Sequence, residues 1–189
     1  MVEASNEYTY IFCFGSNGPK QLSERCRIPI DDLLTRTKPA RLQGWKRGFC
    51  GTSRSWKNTS PATIFETGDE KNVVIGLAVA MTSDEIESLD PYEGYPYVYD
   101  RKKVTMKSTM GGKEETLEGE AYIRVKTNEE FVFPCDSYLR ACAKTIYKCL
   151  QLEEQDPSPC VMFDVVNGTS KELERKVEVT LTDNELVNL

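Results

Sequence analysis

The stretch Tyr10-Ile11-Phe12-Cys13-Phe14-Gly15-Ser16-Asn17-Gly18-Pro19 constrains this chain more than any other. An apolar run ends at two closely spaced glycines, and a proline follows at what reads as the first position of a helix. Strand, tight turn and helix start thus fall within one short span. Such a junction turns backbone N–H groups toward a common point, an arrangement suited to an anion. Neither the phosphate-loop pattern with its Gly-Lys-Ser/Thr ending nor a GxGxxG fingerprint is present, so the anion expected here is a carboxylate or an oxyanion. Ordinary turn chemistry explains a lone Gly-rich loop equally well.

A second constraint is chemical. The chain has no histidine, so proton transfer near neutral pH falls to a carboxylate, Cys, Lys or Tyr with a displaced pKa. Ser16 has no histidine to activate it as a nucleophile, and a Cys–His pair is excluded on the same ground.

With 189 residues, 39% apolar and 29% charged, the chain suits one soluble globular core. A formal net charge of −6 disfavours nucleic acid and anionic membranes as partners. The longest apolar run, residues 73–81, contains a glycine and is too short to span a bilayer. No basic segment followed by an apolar one opens the chain, so a cytoplasmic location is expected. The seven cysteines are odd in number and form no CxxC pair, and without histidine they offer no structural zinc pattern. Cys135, Cys142 and Cys149 recur every seven residues, which places them on one buried helical stripe. Cys13, beside the loop, would make activity sensitive to oxidation if exposed.

Residues 8–14 read as a strand and 19–26 as a short helix, while 29–36 are mixed. Residues 39–51 carry Leu42, Trp45 and Phe49 around Gly44 and Gly48, which suggests one bent or bulged strand. Residues 53–61 read as a polar loop and 61–66 as a short strand. Residues 72–81, apolar on both faces, suggest a central strand. Thr82 or Ser83 caps a helix with acids in its first turn, and Pro91 is expected to stop it. Residues 97–106 and 117–126 read as strands around a hairpin turn at Met110-Gly111-Gly112-Lys113. Arg101-Lys102-Lys103 and Glu114-Glu115 are expected to face one another, or water, across that hairpin. Residues 136–151 form the clearest helix; the last forty, with prolines at 157 and 159, give weak signals. The pattern is α+β, with a curved and mostly antiparallel sheet capable of closing as a barrel.

Leu89-Asp90-Pro91-Tyr92-Glu93-Gly94-Tyr95-Pro96 lies between a helix and a strand. Its Glu93 sits among aromatics, where apolar neighbours disfavour the charged form and raise the pKa. From this segment alone a solvated loop acid is the simpler reading. Tyr99-Asp100-Arg101 could hold a substrate or merely pair with surface acids.

Taken together, these segments resemble the γ-glutamylcyclotransferases. The family's aromatic-Gly-Ser-Asn loop corresponds to Phe14-Gly15-Ser16-Asn17, and its Leu-Asp-x-x-Glu-Gly segment to Leu89–Gly94. Its Ala-Thr-Ile strand corresponds to Ala62-Thr63-Ile64, with Val74–Val79 as the strand that follows. Tyr99 matches a tyrosine shortly after the catalytic glutamate, and Tyr138 one that helps to close the substrate pocket. The similarity spans roughly residues 8–150 and reverses the reading of Glu93. It implies a small, mostly antiparallel β-barrel flanked by helices, with no cofactor and no metal. It also implies a small-molecule γ-glutamyl substrate converted to 5-oxoproline, with Glu93 as general acid and base. Phe14, Gly15, Ser16, Asn17, Tyr99 and Tyr138 would bind that substrate.

Two departures bear on substrate choice. Phe14 stands where the family usually has tyrosine, and Gly18-Pro19 stands where apolar residues are common. Three readings follow: a cyclotransferase for γ-glutamyl amino acids or dipeptides, a relative acting on γ-glutamylamines, and a non-catalytic ligand-binding module. The expected organisation is a tail over 1–7, a catalytic domain over 8–155 and a C-terminal extension over 156–189, packed on or trailing from that domain. Either a monomer or a homodimer is compatible, the latter through a patch around Trp45 and Trp56.

Overall fold

A computed structural model describes residues 7–153, 156–168 and 172–189. All of the expected tail except Glu7, and the expected boundary at residue 155, therefore lie outside the described residues.

Five strands close a barrel in the order β1 (Thr9–Cys13), β5 (Val73–Met81), β2 (Thr37–Gln43), β6 (Tyr99–Met110) and β7 (Lys113–Arg124). All pairings are antiparallel except the closing one, where Tyr10 and Ile11 run parallel to Gly119 and Glu120. β5 lies between β1 and β2, as its continuous apolar run predicts. Side-chain alternation makes both faces of β1 buried. Phe12 and Phe14 join one apolar cluster, while Ile11 and Cys13 join a second with Leu77, Val79 and Met81.

The second cluster is covered by α1 (Pro19–Cys26), α2 (Ile30–Thr35) and α3 (Ser83–Glu93), which contribute Leu22, Leu33, Ile86 and Leu89. Pro19 occupies the first turn of α1, where its missing N–H costs nothing. Thr82 caps α3 in a full capping box with Glu85. On the first cluster lies α4 (Asp136–Leu152), whose buried stripe puts Tyr138, Cys142 and Ile146 there and Cys149 in the second cluster. Cys135 sits just before that helix and is only partly buried.

Several expectations are corrected. Residues 39–51 are not one bent strand. Gly44, at φ +83°, ends β2 and sends the chain into β3 (Trp45–Phe49), which pairs with β4 (Ala62–Glu66) in a separate sheet. Pro91 does not stop α3. It lies near the end, where the helix needs little more backbone bonding, and Gly94 at φ +63° terminates it. The hairpin turn does fall at Gly111-Gly112, both with positive φ. Its register, however, sets Lys103 opposite Glu120 and Thr109 opposite Glu114. The basic and acidic runs therefore do not face each other, and the alternative of water holds for the exposed Lys102, Lys103 and Glu114, while Glu114 and Glu115 meet Lys107 and Lys38.

The weakly signalled C-terminal part contains a hairpin of β8 (Cys160–Val166) and β9 (Leu173–Thr180), then α5 (Asp183–Val187). Val161, Phe163, Val165, Val177 and Val179 from the hairpin are buried in the first cluster. Trp45 and Trp56 pack partly buried against that same cluster. No helix among the described residues is long and apolar enough to cross a membrane.

Candidate active site

The end of β1, the end of α3 and the first turns of α4 meet around a cleft of about 270 Å³. Residues 14–18 leave β1 and turn across its mouth. Their path is held from behind: Thr145 Oγ1 of α4 donates to the Gly15 carbonyl at 2.8 Å, and Arg47 Nε of β3 to the Phe14 carbonyl at 2.8 Å. Gly15 has no room for a side chain without crowding, since a Cβ would lie 3.2 Å from the Tyr138 hydroxyl. The Ser16 and Asn17 amide N–H groups have no acceptor among the described residues, so they remain available to a ligand.

Glu93 is the last residue of α3, and its side chain is 10% exposed. Its Oε1 accepts from Asn17 Nδ2 at 2.9 Å and from Arg25 Nη1 at 2.9 Å. Arg25 Nη1 also donates to Asn17 Oδ1 at 2.8 Å, closing a three-residue network across the loop, α1 and α3. Oε2 accepts nothing among the described residues, and Glu93 is one of the residues that line the cleft. Burial pushes the Glu93 carboxyl above the ordinary carboxylate range. The Asn17 amide and the Arg25 guanidinium oppose that shift, and the charge of Asp90 adds to it. Because burial dominates, the protonated form is favoured more than in a solvated carboxylate, which suits a group that takes up and returns a proton.

Asp90 holds the end of α3 in place. The Tyr122 hydroxyl of β7 donates to Asp90 Oδ1 at 2.6 Å, and Arg101 Nε of β6 lies 3.4 Å from it. Arg101 thus pairs with Asp90 and Glu120 beside the site. It is not among the cleft residues.

The remaining wall is aromatic. Tyr99 and Tyr138 both line the cleft, and both bind the backbone of Ala62 at the start of β4. The Tyr99 hydroxyl donates to the Ala62 carbonyl at 2.9 Å, and the Tyr138 hydroxyl accepts from the Ala62 amide at 2.7 Å. Burial raises the pKa of both phenols, so they act as neutral groups. Trp56 tilts against Tyr138 with ring centroids 4.8 Å apart. Phe14 is 6% exposed and contributes an apolar ring to the wall.

All seven residues singled out in the sequence therefore meet around one cleft: Glu93, Phe14, Gly15, Ser16, Asn17, Tyr99 and Tyr138. Sequence reasoning missed Arg25 and Arg124. Arg124 lies beneath the cleft, with its guanidinium bonded to Glu129 and over the Tyr99 ring. A strand–turn–helix signal ending in Pro19 marks where α1 begins, but nothing marks which of its charged residues turns inward. The condition for an oxidation-sensitive Cys13 is not met. It is 2% exposed, and burial together with Glu93 pushes its thiol far above the usual range. Among the described residues no three Cys, Asp or Glu side chains gather as a metal-ligand set.

Residues 11–140 match the family described as "Gamma-glutamyl cyclotransferase, AIG2-like". No curated protein matches the chain. Among solved structures, one described as a gamma-glutamyl cyclotransferase is 24% identical, with a TM-score of 0.59 over 78% of this chain and 85% of that one. An uncharacterized protein from Homo sapiens is 27% identical, with a TM-score of 0.54 over 80% of this chain and 89% of its own. A yeast gamma-glutamyl cyclotransferase described as specific to glutathione shares 16% identity, with a TM-score of 0.52 over 80% and 89%.

Proposed function

Because the chain belongs to the gamma-glutamyl cyclotransferase, AIG2-like family, we propose that it converts γ-glutamyl amino acids or dipeptides to 5-oxoproline and the free amino acid. The observation that carries this reading is the buried Glu93 carboxylate, bonded to Asn17 of the Gly15-Ser16-Asn17 loop inside the cleft.

In this scheme Glu93 takes one proton from the substrate's α-ammonium. The freed amine attacks the γ-carbonyl carbon of the same molecule, forming the new C–N bond of a five-membered ring. The tetrahedral oxyanion collapses as Glu93 returns that proton to the departing nitrogen and the original amide C–N bond breaks; the second proton, still on the ring nitrogen, then passes through Glu93 to the released amine, leaving a neutral lactam. Charge and protons balance with substrate and one side chain. General acid–base catalysis of this kind is worth about 10²–10⁴-fold. Holding the flexible glutamyl chain so that nitrogen meets carbon lowers the barrier further. The unengaged Ser16 and Asn17 amides would receive the α-carboxylate or the oxyanion, the latter worth about 10²–10³-fold per donor. Tyr99 and Tyr138, tied to Ala62, would form a rigid wall against the glutamyl chain.

A substrate panel tests the reading. The purified protein is expected to release 5-oxoproline from γ-glutamyl-alanine faster than from a γ-glutamyl-lysine isopeptide or glutathione. Product from the isopeptide alone would assign the chain to γ-glutamylamines. No product from any of the three would leave a ligand-binding module and contradict catalysis.

A further inference from the structure

A second cavity, of about 330 Å³, opens between β3, the start of β5, α4 and β8. Its charged lining is Lys46, Arg47, Lys71 and Lys176 against a single acid, Asp164. That gathering runs against the net charge of −6 for the whole chain. Lys176 Nζ lies 3.8 Å from Asp164 Oδ1. Lys46, Arg47 and Lys71 have no carboxylate within 4 Å among the described residues.

Arg47 is the informative member. Its Nε donates to the Phe14 carbonyl at 2.8 Å and its Nη2 to the Ile75 carbonyl at 2.9 Å. Nη1 has no acceptor among the described residues. The guanidinium of the half-buried Arg47 also lies over the Phe163 ring, 5.8 Å from its centroid, and beyond these partners it keeps Nη1 as a donor for an anion. Burial lowers the Arg47 pKa, opposed by the Cys142 thiol and the Tyr138 phenol but by no carboxylate. A purely structural tie between β3, the β1 loop and β5 accounts for the two carbonyl bonds. It does not account for a free Nη1 on a cavity that also collects Lys46 and Lys71. The other walls are apolar, formed by Val74, Ile75, Ile146 and Phe163, with Met162 58% exposed at the rim.

We propose that this cavity is a binding site for a small organic anion with an apolar body, of the medium-chain carboxylate class. The carboxylate sits at Arg47 Nη1 between Lys46 and Lys71, and the hydrocarbon lies along Val74, Ile146 and Phe163. Nothing in this assignment depends on Glu93 or on the cyclotransferase reaction.

Octanoate titrated into uniformly ¹⁵N-labelled protein tests it. Saturable amide shifts are expected around residues 46, 47, 75 and 146. Affinity should climb by about fourfold per added methylene from butanoate to octanoate, the value of burying one CH₂. Reversing the two rim charges, K46E with K71E, should weaken binding about tenfold while leaving the urea midpoint unchanged. Absence of saturable shifts, or octanoate affinity unaltered by the charge reversal, overturns the proposal. So does inorganic phosphate binding as tightly as octanoate, because the apolar walls would then contribute nothing. Octylamine binding at the same residues with equal affinity contradicts the role given to the cations.

Discussion

A guanidinium 2.9 Å from a carboxylate normally stabilises the ionised form, yet burial around Glu93 outweighs Arg25 and keeps its carboxyl high. The balance is adjustable, and its sign can be worked out. Catalysis as a base needs the carboxylate, so the acidic limb of kcat/KM follows the Glu93 pKa. Replacing Arg25 by Gln removes a group that lowers that pKa, so the limb should move to higher pH. Asn17→Ala should move it in the same direction by removing the second donor. A limb that stays fixed or moves down in Arg25→Gln would show that another group titrates. Glu93 was legible in the sequence because its neighbours are aromatic and because the motif around it is specific. Arg25 was not, since its partner lies 68 positions away and a lone arginine on a short helix has no mark of its own.

At the scale of elements, β4 is fixed by its first residue. The Ala62 amide and carbonyl are held by tyrosines from α4 and β6, which join three elements at the cleft wall. Tyr138→Phe leaves that buried amide without an acceptor, a loss of about 1–3 kcal/mol. We expect a lower urea midpoint with an unchanged m-value; no change in midpoint would mean that the amide finds another acceptor. The core elements 8–14, 72–81 and 136–151 were readable because their apolar runs or stripes are long. Two local misreadings share a cause. Residue type alone does not place Gly44 or Pro91, because the effect of each depends on its position. At φ +83° Gly44 redirects the chain between sheets, and Pro91 so near a helix end costs little. The β8–β9 hairpin carried a readable signal: Val161, Phe163 and Val165 alternate, as do Val177 and Val179. Prolines at 157 and 159 and the mostly polar stretch 167–176 between the two apolar alternations obscure it.

For the whole molecule, closure of the barrel rests on a brief parallel contact between β1 and β7. Gly119 permits it, because a Cβ there would stand 2.3 Å from the Tyr10 carbonyl oxygen. Gly119→Ala should therefore destabilise the fold by more than about 2 kcal/mol, read as a loss of urea midpoint. An unaffected midpoint would mean that the barrel closes differently. The C-terminus adds an acid-sensitive clamp. Glu185 accepts from Arg140 Nη2 at 2.6 Å and caps α5 through the Thr182 amide at 2.9 Å. Those bonds, Arg140 first, lower its carboxyl from 4.5 to about 2. A depressed folded-state pKa supplies stability that is full above the unfolded value of 4.5 and is lost as pH falls toward 2. Wild type should thus exceed Glu185→Gln in urea midpoint near neutrality, with the gap closing through that window. A gap that widens on acidification would reverse the assignment.

The central claim is that a single carboxylate moves the proton. The most direct measurement is the initial rate of 5-oxoproline release from γ-glutamyl-alanine by wild type and Glu93→Gln, with circular dichroism confirming that both are folded. We expect robust release by wild type and a loss of at least about 10²-fold in kcat for the amide variant. Turnover by a folded Glu93→Gln protein at the wild-type rate would contradict the claim and require a different base.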